Sequence, residues 1–297
     1  SEPAMKILIS DAFDAAFPGK LQKFGDVTDD KSRLPECDVV LVRAKTKCTR
    51  DYIDEAKNLK LIIRGGVGID NIDTNHAKER GILVRNTPTA SSVAVAELAM
   101  ALMLAIPNQL MRGHESMRQG KWLKKELKRT ELMGKVLGLI GMGNIAAEVS
   151  KRARAFGMEL IAYRKSGKPS EHAEVLVDLD DLLGRSDYVS LHTPLTEETR
   201  AMIHKGTIAK MKDGAVLINT ARGACVVEAD VAEALKSGKL GGYGNDVWAS
   251  DPPGESPLID APNVVLIPHL GASSKENLLR VGDCIVELLE QYQAGTL

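Results

Sequence analysis

The stretch Lys135-Val136-Leu137-Gly138-Leu139-Ile140-Gly141-Met142-Gly143-Asn144-Ile145-Ala146, continued by Ala147 to Phe156, decides how this chain is read. An apolar run ends in a glycine turn, and the turn opens directly into helix-forming residues. The turn is G-x-G-x-x-A. Gly141 permits the tight bend, Gly143 lets the backbone approach a pyrophosphate, and Ala146 allows the helix to pack closely on the strand. The helix start at Asn144 and Ile145 adds N–H donors and positive potential. The spacing therefore predicts a dinucleotide held at Gly141, Gly143, Asn144 and Ile145.

Working outward, short β-branched runs alternate with helical stretches, the pattern of βαβ units around parallel sheets. After Gly141 the strands are expected at Glu159 to Tyr163, Tyr188 to His192, Ala215 to Asn219, near Gly242 to Val247, and Val264 to Ile267. With Lys135 to Ile140 they make six, the count of a full dinucleotide-binding sheet. Before it lie four more, Lys6 to Ile9, Asp38 to Val42, Leu59 to Ile63 and Ile82 to Val84, with helices at Asp51 to Ala56 and Asn75 to Arg80. Ser92 to Pro107 reads as a buried helix carrying the chain between domains, and Ser274 to Tyr292 as an amphipathic helix returning to the first. The predicted architecture is α/β: a Rossmann-type doubly wound parallel sheet domain, residues 89–270, inserted in a smaller flavodoxin-like α/β substrate domain, residues 1–88 and 271–297. The opening SEPA is set aside from fold reasoning, and no fixed-period repeat is visible.

The 297 residues are 44% hydrophobic and 27% charged, which excludes extended disorder and low-complexity scaffolds. Thirty-nine Lys and Arg against forty Asp and Glu leave a net charge of −1, so no general field draws nucleic acid or an anionic membrane. Arg112 to Arg129 carries seven Lys or Arg against two acidic residues, but with Trp122 its one aromatic it reads as a solvated interdomain or dimer-contact loop. Cys37, Cys48, Cys225 and Cys284 show no metal-ligand spacing, so no metal and a reducing compartment are expected. No apolar run spans a membrane and no secretory signal opens the chain, which makes the cytoplasm the expected location.

The end of the second expected strand names the cofactor more closely. An NAD site places a carboxylate there for the ribose 2′-hydroxyl, whereas an Arg accommodates the 2′-phosphate of NADP. Here Tyr163-Arg164-Lys165-Ser166 has no carboxylate, and Lys168 follows. The expected cofactor is NAD(P)(H), with Arg164 and Lys165 favouring NADP.

Hydride transfer to a carbonyl needs the cofactor held, the oxygen polarised and a proton supplied, so a His, a carboxylate and an Arg are sought at sheet ends. Asn219-Thr220-Ala221-Arg222-Gly223 puts Arg222 after a buried strand, where its fork can hold a keto acid. Asp246 and Asp251 follow the next strand, and His269 follows the last. His76, His114, His172 and His204 read as solvated surface residues. His192, in His192-Thr193-Pro194, can touch the cofactor or bond its own backbone. His269 is the best acid/base, and a carboxylate at Asp251 favours its protonated form.

These stretches, with Ser190 to Thr196, Met211-Lys212-Asp213-Gly214 and Asp246-Val247-Trp248, resemble the D-isomer-specific 2-hydroxyacid dehydrogenases over nearly the whole chain. Within that family the similarity is greatest to the D-3-phosphoglycerate dehydrogenases, through Val42 to Lys47, Arg64-Gly65-Gly66-Val67-Gly68 to Asp73, Asn86-Thr87-Pro88, Gly120-Lys121-Trp122 and His269 to Glu276. The resemblance implies that Arg222 binds carboxylate and carbonyl, that His269 is the acid/base and that Asp251 orients it. It also implies that Asp246 contacts the nicotinamide carboxamide, with Thr193, Pro194, Thr220 and Ala221 around the cofactor. Amides of Gly65, Gly66 and Val67 would cradle the substrate carboxylate, and Arg43 and Arg64 stand where a phosphorylated substrate can be met.

Two positions depart from the family pattern. Asp251 stands where Glu is usual, and Arg164 where Asp is usual. The implied activity interconverts a D-2-hydroxy acid and its 2-keto acid, 3-phosphoglycerate first, in a homodimer formed through the cofactor domains. An NADP-linked glyoxylate or hydroxypyruvate reductase is the alternative within enzymes. A nucleotide-sensing, corepressor-like binding protein is the alternative outside them, since fold does not fix function. With Leu297 shortly after the closing helix, no C-terminal regulatory module is expected.

Overall fold

The computed structural model describes residues 4–297; of the four leading residues set aside above, the first three lie outside it. The chain divides into two compact units, Ser1–Ser91 with Ala272–Leu297, and Ser92–Gly271. Among the described residues no single helix is long and apolar enough to cross a membrane.

The first unit is built on β1 (Met5–Ile9), β2 (Gly25–Thr28), β3 (Val39–Val42), β4 (Leu61–Arg64) and β5 (Leu83–Asn86). All neighbours pair in parallel in the order β2-β1-β3-β4-β5, the flavodoxin-like arrangement. The sequence pattern predicts four strands here, and β2 is the correction. Gly25-Asp26-Val27-Thr28 has one large apolar residue, so no apolar run marks it.

Side chains alternate across this sheet with period two. Ile7, Val39, Leu41, Leu61 and Ile63 enter one core; Leu8, Val40, Val42 and Ile62 enter the other. Helix Lys275–Gln293 closes the first core with Val281, Ile285 and Leu289, which returns the end of the chain to its beginning. Helices Arg50–Glu55 and Thr74–Glu79 close the second through Ile53 and Ala77. Thr49, Asp73 and Ser274 cap these three helices by accepting the Tyr52, His76 and Asn277 amides. One histidine corrects the sequence reading: His76 is buried, its Nε2 2.6 Å from Asp54 Oδ1. Helix Thr74–Glu79 turns it inward beside Ala77, and Asp54 supplies the partner that a buried polar ring needs. His114 and His204 are exposed and His172 half-buried.

The second unit holds β6 (Val136–Ile140), β7 (Glu159–Tyr163), β8 (Glu174–Leu176), β9 (Tyr188–Leu191), β10 (Ala215–Asn219), β11 (Leu240–Asn245) and β12 (Val264–Leu266). The order β12-β11-β10-β9-β6-β7-β8 is parallel throughout and matches the doubly wound dinucleotide-binding arrangement with one further strand. Seven strands replace the six expected. The addition is β8, three residues of mixed polarity at the other edge, too short to leave a pattern. Helix Ser92–Ala105, apolar except for Ser92 and exposed Glu97, lies against helix Asn144–Ala155, β10 and β11; it stops two residues before Pro107, and left-handed Gln109 separates it from helix Leu110–Arg118.

Both tryptophans of the chain, Trp122 and Trp248, belong to the second unit, so their emission reports that unit's unfolding alone. Leu217 is fully buried in central β10. Leu217→Ala should destabilise the unit by about 2–5 kcal/mol, read as a lower urea midpoint with an unchanged slope.

Candidate active site

Open parallel sheets bind ligands beyond the carboxyl ends of the strands where the strand order reverses. In the second unit that point lies between β6 and β9. Gly141, directly after β6, has φ +100°, and a Cβ there would overlap the His192 carbonyl oxygen at the end of β9. Gly143 faces open space, with no atom within 4 Å of where a Cβ would stand. It is the N-cap of helix Asn144–Ala155 and gives that helix no side-chain cap, so the first N–H groups remain available beside the turn. Ala146 is fully buried. Across the edge, the Thr220 hydroxyl is buried without a hydrogen-bond partner. An open glycine turn, uncapped helix donors and an orphaned hydroxyl fit a bound dinucleotide, whose nicotinamide would supply or accept a hydride.

Arg164 reaches back over this turn. Its Nη2 donates to the Met142 carbonyl and its Nη1 to Lys168 O at 3.0 Å. Lys165 leans away and pairs with Glu198. His192 accompanies Ser190, with Nε2 2.7 Å from the Ser190 hydroxyl. Burial pushes its imidazole down to about 4, so it is neutral under ordinary conditions. Thr193 is half-buried and Pro194 exposed in the loop that follows.

The strands β10, β11 and β12 end level, because Asn219 pairs with Asn245 and Asn245 with Leu266. Arg222, Asp246 with Asp251, and His269 therefore leave the sheet from one edge. The fully buried Asn219 shapes the first turn: its Oδ1 accepts the Ala221 amide and its Nδ2 donates to Arg222 O, both at 3.0 Å. Gly223 lets that turn lie against the Trp248–Ala249 backbone, where a Cβ would overlap the Trp248 carbonyl. Trp248 in turn donates its indole N–H to Ile267 O at 3.0 Å, just ahead of His269.

His269 has φ +55°, a conformation costly for a residue other than glycine. The following backbone holds it there: Leu270 N–H donates to Asp246 Oδ1 at 2.6 Å and Gly271 N–H to Asp246 Oδ2 at 2.9 Å. Asp246 is 1% exposed; burial raises its pKa, and these two amides and the nearby His269 oppose the rise. Both Asp246 carboxylate oxygens thus hold the segment that follows His269. Asp251 Oδ2 lies 2.6 Å from His269 Nδ1, so the shorter side chain does span the gap. With Nδ1 engaged, Nε2 is the ring atom left for a substrate proton.

The first unit has its own reversal point between β1 and β3. Asp11, which sequence reading missed, accepts the Arg43 amide at 2.7 Å, the Thr46 amide at 3.1 Å and the Thr46 hydroxyl at 2.6 Å. Asn71 Nδ2 donates to Arg43 O and Thr46 O, fixing the same loop from β4's side. Arg43 is half-buried with its guanidinium 5.9 Å from the Phe13 ring. Groups expected to face the substrate have partners within this unit. Arg64 is buried and donates to Gly68 O and Gly65 O, bracing the glycine turn. Of the three amides expected to cradle a carboxylate, Gly65 N–H donates to Val42 O and Gly66 N–H to the Thr87 hydroxyl; Val67 is the outward residue. Continuation of the β-ladder past Arg64 accounts for the first.

His192 predicts an acid-side change in stability. Between 6.5 and about 4 the unfolded chain takes up a proton that the folded ring refuses, so stability present above that window is lost as pH falls through it. The urea midpoint of the second unit, followed by tryptophan emission, should fall across this window, and less steeply in His192→Asn. Gly141→Ala should abolish dinucleotide binding, measured by fluorescence titration, because neither its φ nor the His192 carbonyl accommodates a side chain.

Comparison with known proteins places these residues in a family. Residues 100–271 match the model of the D-isomer specific 2-hydroxyacid dehydrogenase, NAD binding domain. A hydroxypyruvate reductase of Thermotoga maritima is 51% identical over 261 residues, 87% of this chain and 84% of that protein. A D-3-phosphoglycerate dehydrogenase of Methanocaldococcus jannaschii is 40% identical over 99% of this chain, which spans only 58% of that longer relative. Among solved structures, an acyclic imino acid reductase (Bsp5) in complex with NADPH and D-Arg superposes with a TM-score of 0.91 at 30% identity, covering 98% of both chains. With a matching family model, full-length similarity and a nicotinamide-binding fold in common, this chain belongs to the D-isomer-specific 2-hydroxyacid dehydrogenase family.

Proposed function

We propose that the chain interconverts a D-2-hydroxy acid and its 2-keto acid using NADP(H), and that the His269–Asp251 pair, level with Arg222 at one sheet edge, carries the reaction. The Arg222 guanidinium holds the substrate carboxylate and polarises the keto oxygen. His269 Nε2 gives that oxygen a proton in reduction and takes one from the hydroxyl in oxidation, while Asp251 retains Nδ1–H and stabilises the imidazolium. Gly141, Gly143, Asn144 and Ile145 hold the pyrophosphate, and His192 to Pro194 with Thr220 and Ala221 flank the cofactor. Arg164 over the Gly141 turn, with no carboxylate beside it, supports NADP; Lys165 must leave Glu198 to assist.

The substrate proposed first is 3-phosphoglycerate, with Arg43 meeting an anionic group and the Val67 amide the carboxylate. A phosphate-free acid, hydroxypyruvate or glyoxylate, is favoured by a different observation: Arg64 is buried and spends two of its donors on Gly68 O and Gly65 O of its own loop. The Thermotoga relative's name agrees with that second reading. Four free cysteines, three of them buried, support a cytoplasmic setting. The exposed Leu110, Met111, Met117 and Trp122 support a homodimer through the second unit.

Initial rates on 3-phosphoglycerate, hydroxypyruvate and glyoxylate, with each cofactor, separate the substrates; no turnover of 3-phosphoglycerate rejects the first. His269→Ala should lower kcat by about 10²–10⁴-fold; a turnover that is slow in the wild type and unaltered in the variant would return the nucleotide-sensing alternative. Arg164→Asp should weaken NADP and strengthen NAD in binding titrations; an unchanged ratio rejects the role given to Arg164.

A further inference from the structure

We infer that Glu228 is a positioning residue: its carboxylate ties together the two ends of the loop that presents Asp251 to His269. Glu228 opens helix Glu228–Ser237, just beyond the Arg222 turn. Its Oε2 accepts the Ala249 amide at 2.9 Å and its Oε1 accepts the Ser256 hydroxyl at 2.8 Å. One side chain thus joins residues on either side of Asp251, and most of the stretch between them is exposed. Ser256 passes the anchorage on, because its hydroxyl oxygen accepts the Leu258 amide at 3.3 Å and Leu258 is fully buried.

The reason such a tether matters lies in the side chain it serves. Asp251 reaches His269 Nδ1 with only two rotatable side-chain bonds, so the position of its oxygen follows its backbone. A longer carboxylate can absorb a displaced loop by changing rotamer, and Asp251 cannot. An untethered loop would sample many backbone arrangements, of which few place the carboxylate at hydrogen-bond distance. Glu228 narrows that ensemble from outside the loop. Its carboxylate also sits in the first turn of its own helix, where the backbone dipole favours negative charge.

This inference rests on the reading of His269 and Asp251 as the acid/base pair, and the test separates the two. Turnover, KM and cofactor Kd are measured for Glu228→Leu, Glu228→Gln, Asp251→Asn and Glu228→Leu combined with Asp251→Asn. Glu228→Leu should lower kcat about 10- to 100-fold, the scale of small misplacements of a catalytic group, with KM and cofactor Kd unchanged. Glu228→Gln, which keeps an acceptor for Ala249 and a partner for Ser256, should recover most of the loss. In the Asp251→Asn background Glu228→Leu should cost little more, because both changes remove one interaction. Wild-type kcat in Glu228→Leu, a Gln variant no better than Leu, or losses that multiply in the double variant each overturn the role of Glu228. Full turnover in Asp251→Asn overturns the acid/base reading as well.

Discussion

Every strand of this protein runs parallel to its neighbours, and the rest of the structure follows from that constraint. Parallel strands cannot be joined by hairpins, so each connection crosses a face of the sheet and covers it. Both faces are then buried, which is why β3 and β4 are apolar at successive positions rather than alternating. All carboxyl ends of a sheet also fall at one edge. Loops that start far apart in sequence, after Ile140, Leu191, Asn219, Asn245 and Leu266, are gathered there without any direct contact being required to gather them.

What converts a gathered edge into a chemical site is a small set of buried and half-buried polar side chains. Asn219 shapes the Arg222 turn, Asp246 holds the backbone after His269, and in the first unit Asp11 and Asn71 fix the Arg43 loop. Each gives up solvation and recovers it in bonds to backbone groups, so each stabilises one loop geometry over others. Asp246 is the clearest case. Its two oxygens accept the two amides that follow His269 and so stabilise the left-handed backbone of that residue.

Substitution of a single side chain can shift such a site from one reliance to another. With Asp251 in place of a longer carboxylate, placement of the oxygen passes from side-chain rotamers to the loop backbone and its anchors. With Arg164 in place of a carboxylate, the guanidinium lies on the glycine turn itself, where a cofactor's ribose would be read. The glycine turn, the level strand ends and the Arg222 turn surround these two positions.

Much of this was legible in the linear chain. The strand, turn and helix around Gly141 follow from local spacing, and the segments after β10, β11 and β12 declared their Arg, Asp and His by type and position. The strands β2 and β8 did not, because Gly25-Asp26-Val27-Thr28 and Glu174-Val175-Leu176 hold too few apolar residues to stand out as a run. Nor did the burial of His76, which depends on Asp54 from a neighbouring helix. Arg64 shows the limit most plainly: its burial and its bonds to the Gly65 and Gly68 carbonyls depend on how the turn folds back over it. Sequence alone determined the fold class and the residue types at the sheet edge, because hydrophobic period and turn chemistry are local. Only the tertiary structure decided which of those polar groups stay open to a ligand, because hydrogen-bond partners are allotted by neighbours in space.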